Sequence, residues 1–164
     1  MFKKVLLAHD GSDCSQEAFR LALEIAREDR ADLAIVHVVD ITKATSVISG
    51  DASLAQPWLD ALDREGDDVL ARLQAEAQTR GVRVRVYKAH DAPARAITHL
   101  AESLDCDVIV MGTHGRAGIS RLVLGSVAEQ VIESVDVPVL IAPLKVLARV
   151  KRQRAPSSIP LPAL

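Results

Sequence analysis

The chain has 164 residues, 49% of them apolar, and a formal charge of −2 from 20 basic and 22 acidic side chains. That is enough for one domain with a substantial core and too little for two. The near-neutral balance excludes a chain-wide electrostatic footprint for nucleic acid, the four aromatics (Phe2, Phe19, Trp58, Tyr87) offer no stacking platform for single strands, and no apolar run is long enough to cross a bilayer.

The first element is Val5-Leu6-Leu7-Ala8, apolar on both faces as a central parallel strand should be. His9-Asp10 ends this run too early for a signal peptide, so the cytoplasm is the expected location. Asp13 with Gln16 three residues on reads as a capping box, and Ala18, Phe19, Ala22, Leu23, Ile25 and Ala26 then repeat at helical spacing. Asp32 to Val39 is a second strand; two strands joined by a helix are parallel and adjacent. The stretch from Asp40 to Pro57 lacks periodicity and reads as a mobile loop. Trp58 to Arg80 is a long polar helix with Leu62, Val69, Leu73 and Ala77 on one face, ended by Gly81. Val82, Val84 and Val86 alternate with polar residues, which predicts a third strand at a sheet edge. Pro93 opens a helix with Ala94, Ile97, Ala101 and Leu104 inward.

A fourth strand, Asp107 to Met111, leads into Gly112 to Ser126 and a further helix through Ser134. The last strand, Val137 to Ala142, contains Pro138, which cannot donate to a ladder and so marks a second edge. Edges at strands three and five predict a doubly wound, five-stranded parallel α/β sheet in order 3-2-1-4-5, Rossmann-like, with helices on both faces. In that order the crossovers reverse between strands one and four, and ligands bind at such a switch point beyond the carboxyl ends of the strands. The loop carrying Asp10 and the loop from Gly112 to Ser126 are expected to meet there. Residues 1–144 make up the domain; residues 145–164, basic and proline-containing, read first as a terminal extension without a fold and second as a basic tail that touches an anionic partner.

Gly112-Thr113-His114-Gly115-Arg116 to Leu124-Gly125-Ser126 carries the chemistry. Gly112, Gly115 and Gly125 would let main-chain amides wrap phosphates, and a helix N-terminus favours an anion. This is neither the Gly-Lys-Ser/Thr phosphate loop nor the dinucleotide fingerprint. Ser126 either adds a hydroxyl to the cradle or caps the helix in a box with Glu129. Asp10 either accepts from a ribose hydroxyl or the adenine amine, helps hold a metal on the phosphates, or only makes an Asp-Gly turn. Arg116 and Arg121 are candidates to neutralise phosphate charge and His114 to donate to it; His37, His90 and His99 receive no role. Cys14 and Cys106 lack metal or redox spacing and are expected as free thiols, Cys14 being the weak candidate for oxidation if it opens a helix.

The glycine spacing, together with the opening Lys3 to Ser12, resembles the ATP-binding branch of the universal stress protein family, over Met1 to about Pro143. The resemblance implies ATP, with or without magnesium, in a crevice lined by Ala8, His9, Asp10, Val38, Met111, Gly112, Thr113, His114, Gly115, Arg116, Gly125, Ser126 and Val127, with Val38 offering its main chain to the adenine. It implies no resident metal ligand and no catalytic residue. It also implies a homodimer through Val137 to Ala142, with an unidentified protein partner as a further possibility. Asp91 stands where the family often has glycine, and is expected to serve the next helix N-terminus. A nucleotide-dependent regulatory role ranks first, since the chain has no phosphate-loop lysine and no catalytic-loop signature. The alternatives are slow ATP hydrolysis or self-phosphorylation at Ser120 or Ser126, and a nucleotide-free dimeric scaffold.

Overall fold

The computed structural model describes residues 1–42, 55–113 and 124–143. Nine elements follow in chain order among these residues: β1 (Lys4–Ala8), α1 (Asp13–Asp29), β2 (Asp32–Asp40), α2 (Ala55–Thr79), β3 (Val84–Asp91), α3 (Pro93–Ser103), β4 (Val108–Gly112), α4 (Ser126–Ser134) and β5 (Val139–Ala142). The strands are all parallel in the order β3-β2-β1-β4-β5, as the two edge arguments require. Most of the expected Asp40 to Pro57 loop and the basic tail lie outside the described residues.

β1 is central, and its Val5, Leu6 and Leu7 are fully buried. Alternation along the strands divides the interior into two cores. Val5, Leu7, Leu33, Ile35, Val108 and Val110 face α1 and α2, meeting Phe19, Ala22, Leu23, Leu70 and Leu73. Leu6, Ala34, Val36, Ile109 and Met111 face α3 and α4, meeting Ile97, Ala101, Ala128 and Val131.

Several boundaries differ from the sequence expectation. The α1 N-cap is Ser12, whose side chain accepts from the Ser15 N–H, so the Asp13–Gln16 box does not form. Asp13 instead opens the helix, where its charge complements the dipole. α2 starts at Ala55, three residues before the expected Trp58. Gly81 follows its end at φ +74°, as a helix-terminating glycine should. β3 runs to Asp91 because β2 runs equally far and pairs with it through Asp40 and Asp91. Pro138 precedes β5, and its carbonyl still accepts from the Ile109 N–H (3.0 Å), so the proline sits just before the paired residues rather than among them.

α2 is held in two ways. Its C-terminal half buries Val69, Leu70, Leu73 and Ala77 in the core. Its N-terminal half uses charge: Lys88 Nζ on β3 lies 2.7 Å from both Asp63 and Asp67, and His90 Nε2 lies 2.6 Å from Asp63. These contacts are partly exposed, so each contributes little to global stability.

Candidate functional site

Parallel pairing of β1 with β4 brings the two suspect loops together at the carboxyl end of the sheet. The join is tight. Thr113, the residue after β4, donates its hydroxyl toward Cys14 Sγ in the first turn of α1 (3.7 Å). An ideal Cβ on Gly112 would lie 2.7 Å from Cys14 Cβ, 2.8 Å from the Cys14 carbonyl carbon and 3.0 Å from the Ser15 nitrogen. Gly112 is therefore needed to let α1 lie on β4, whatever else its backbone does. The stem of the second loop is closed by the Gly125 N–H donating to the Thr113 carbonyl (2.8 Å), while the Thr113 N–H reaches the Ala142 carbonyl on β5 (3.2 Å).

The first loop is built by local bonds. Gly11 takes φ +86°, a region that L side chains avoid. Asp10 Oδ1 accepts from the Ser12 N–H (3.0 Å), the side-chain-closed turn expected of Asp-Gly. Burial alone would raise the Asp10 pKa, but the bonds from Ser12 and Ser15 outweigh it and hold the carboxyl below its ordinary value. Asp10 is thus a fixed anion at the crevice.

Strand alternation decides which side chains share the crevice. Ala8, Val38, Met111 and Val127 all belong to the core on the α3/α4 side, Val38 and Val127 partly exposed. His9 belongs to the loop through its main chain, and its ring turns to the opposite face, where it is only 3% exposed. Its Nδ1 accepts from the Gly11 N–H (3.1 Å), which leaves the proton of the neutral ring on Nε2. That Nε2 is buried without a hydrogen-bond partner among the described residues, although Gln16 lies beside the ring. Burial is the main reason its pKa falls from 6.5 to about 4; the charges of His37 and Arg72 add to this and Asp10 opposes it.

At the far end of the second loop, Gly125 is the α4 N-cap, with φ −67° and ψ 145° and no side-chain cap bond. Ser126 is the first helical residue, so the alternative reading of a Ser126–Glu129 box is not realised; the Glu129 N–H bonds the Gly125 carbonyl instead (3.0 Å). The Ser126 hydroxyl is thereby released from capping duty. His114, Gly115, Arg116, Ser120 and Arg121 lie outside the described residues.

Away from the crevice, Asp91 accepts from the Ala92 N–H (2.6 Å) and pairs with Arg95, serving the start of α3 as expected. Cys14 and Cys106 are free and both buried, and burial raises the Cys106 thiol pKa to about 11. Burial also weakens the case for oxidation at Cys14, since a reactive thiol must be accessible. Among the described residues no group of three His, Cys, Asp or Glu is placed to hold a metal, and no helix is long and apolar enough to cross a membrane.

Three residues have roles that the sequence does not show. Cys14 is the surface against which Gly112 packs. His37, 6% exposed, donates Nδ1–H to the His9 carbonyl (2.9 Å); the carbonyl can only accept, which fixes that tautomer. Gly66, within α2, leaves room for the His37 ring, since an ideal Cβ there would lie 2.8 Å from His37 Cδ2. The signals were a lone polar residue inside Ile35-Val36-His37-Val38-Val39 and a glycine in a helix interior, where it costs about 1 kcal/mol relative to alanine.

Comparison with known proteins agrees with this architecture. The universal stress protein family model matches residues 1–143. Universal stress protein MJ0531 of Methanocaldococcus jannaschii is 36% identical over 142 residues, covering 86% of this chain and 82% of the relative. The solved structure of MJ0577, from the same organism, superimposes with a TM-score of 0.77 at 26% identity, covering 87% of this chain and 96% of the other. A universal stress protein solved in complex with cAMP superimposes with a TM-score of 0.61 at 25% identity, covering 87% and 98%. By its sequence, its strand order and the two loops that meet at its switch point, this chain belongs to the universal stress protein family.

Proposed function

We propose that this chain binds an adenine nucleotide, ATP in the first instance, and acts as a nucleotide-dependent regulatory protein in the cytoplasm. The observation that carries the proposal is the meeting of the Asp10 loop with the Gly112–Gly125 stem over the sheet's switch point. Ala8, Val38, Met111 and Val127 supply an apolar wall suited to a base, and Asp10 supplies an acceptor for ribose hydroxyls. The amides of Ser126 and Val127 at the start of α4, which has no side-chain cap bond, suit phosphate oxygens, with Thr113, His114, Gly115 and Arg116 completing the cradle. The relative bound to cAMP supports an adenine ligand. Magnesium, where present, would ride on the phosphates rather than in a protein cage.

A binding role stands ahead of catalysis because Asp10, the one plausible base there among the described residues, is already tied to Ser12. Turnover of ATP at several per second would reverse that order.

The test is the purified protein itself. Denaturation should release an adenine nucleotide, and calorimetry on emptied protein should show binding of ATP. Gly125→Val should weaken that affinity on the order of 100-fold by overfilling the phosphate position. The ordinary φ of Gly125 means that a side chain there is not strained by the backbone, so a loss reports the ligand's space. Unchanged affinity would remove the main-chain cradle from the proposal.

The same reading includes a homodimer through Val137 to Ala142. Val139, Leu140 and Ile141 are only partly buried, and Ile132 nearby is 44% exposed. An apolar edge of this kind is an aggregation hazard unless covered, and a twofold copy would cover it. Light scattering should give a dimer mass, and Ile141→Lys should shift it toward the monomer. A monomeric parent protein would refute this part. Residues 145–164 remain a basic extension available to a partner, separate from the domain of residues 1–144.

A further inference from the structure

We propose that His37 is a positioning residue for the nucleotide loop, setting the orientation of Asp10 from the opposite face of the sheet under the control of α2. The inference rests on the adenylate-binding reading above. The His9 main chain is held at both ends: its N–H donates to the Val36 carbonyl (2.9 Å), and its carbonyl accepts from His37 Nδ1–H (2.9 Å). That carbonyl belongs to the peptide joining His9 to Asp10, so the ring bond fixes the plane from which Asp10 departs. The His9 side chain adds a third tie through Gly11 N–H. The bond is buried and its acceptor is otherwise sealed from water, the setting in which losing a donor is most costly.

The ring is itself held from behind. Gly66 puts bare backbone against His37, and any side chain there would displace it: an ideal Cβ would come 2.8 Å from Cδ2 and 3.3 Å from Nε2. A glycine in the middle of a 25-residue helix is otherwise disfavoured. Asp63, one turn before Gly66, and Asp67, the residue after it, fasten the same part of α2 to Lys88, the register partner of His37 on β3. A contiguous path therefore runs from α2 through His37 and the His9 carbonyl to Asp10. Any event that shifts this half of α2 would alter the nucleotide loop without touching the ligand.

Three variants test this. His37→Leu removes the donor while keeping an apolar filler. His37→Asn restores an N–H close to the position of Nδ1. Gly66→Ala leaves His37 intact and pushes its ring. We expect about a tenfold loss of ATP affinity for His37→Leu and for Gly66→Ala, with His37→Asn recovering most of it. In ligand-free protein, hydrogen exchange at the Gly11 amide should accelerate in the first two variants and return toward the parent rate in His37→Asn. A role in core packing alone would not be rescued by asparagine, which packs no better than leucine. Wild-type affinity and wild-type Gly11 exchange in a folded His37→Leu protein would overturn the proposal, as would a His37→Asn protein no better than leucine. If the parent protein binds no adenylate, the binding reading fails by itself, and Gly11 exchange still decides whether His37 holds the loop.

Discussion

Replacing Gly112 with alanine is expected to destabilise the fold by about 1–3 kcal/mol, a drop of roughly 3–10 °C in the unfolding midpoint for a domain of this size. The motif suggests a ligand-binding glycine, but its packing comes first. The added Cβ would lie 2.7 Å from Cys14 Cβ and 2.8 Å from the Cys14 carbonyl carbon. The carbonyl carbon is backbone in the first turn of α1, which cannot swing aside as a side chain could. α1 would have to lift from β4, opening the core around Phe19 and Val110, both 0% exposed. Gly125→Ala provides the contrast. That residue sits at φ −67°, so its stability change should stay within about 0.5 kcal/mol. Thermal melts of the two variants, without ligand, check the claim. Equal midpoints would mean that α1 does not bear on Gly112 in the way described.

Acid is expected to weaken the fold well above the range where carboxylates titrate, and His9 is the reason. Its pKa is lowered from 6.5 to about 4, chiefly by burial. Between those two values the unfolded chain binds a proton that the folded chain does not. The contribution of neutral His9 is therefore complete above pH 6.5, declines as pH falls, and is spent near pH 4. The full gap is worth about 3 kcal/mol. The groups around the ring are Asp10, which favours its protonation, His37 and Arg72, which oppose it, and Gln16. Asp10, Asp63, Asp91 and Asp107 have pKa values held below their ordinary 3.8, so most of their stabilisation is lost beneath that window. Denaturant unfolding at half-unit steps from pH 7 to 4 should show the slope. His9→Asn, which keeps an acceptor for the Gly11 N–H and has no titrating group, should flatten it. An unchanged slope in that variant would transfer the effect to another residue.

The two glycines also show how far a motif can be read. Both were legible as parts of one loop, and both do flank it. What the spacing could not say is that one is required by the first turn of α1, far away in sequence, where Gly112 meets Cys14. Helix caps misled in a similar way. Asp13 and Ser126 fit the N-cap pattern, yet Ser12 and Gly125 hold those positions. Serine, aspartate and glycine all cap well, so adjacent candidates tie on propensity and the entering chain direction chooses between them. His37 was passed over because a single histidine in an apolar run carries no local signature. Its meaning lies in the carbonyl it meets just past β1, 28 residues earlier.

By itself the sequence determined the strand order, through an apolar first strand that had to be central and through the alternation and proline that pushed β3 and β5 to the edges. It also determined that the loops after β1 and β4 would be neighbours at the carboxyl end of the sheet, because strand order alone decides which loops are adjacent. Only the tertiary structure decided what each residue does there. Gly112 seats a helix, His9 hides its ring on the far face, and His37 reaches the loop from below. The physical reason is that periodicity reports which face a side chain occupies, whereas close packing and hydrogen-bond partners depend on atoms that the chain brings together only after it has folded.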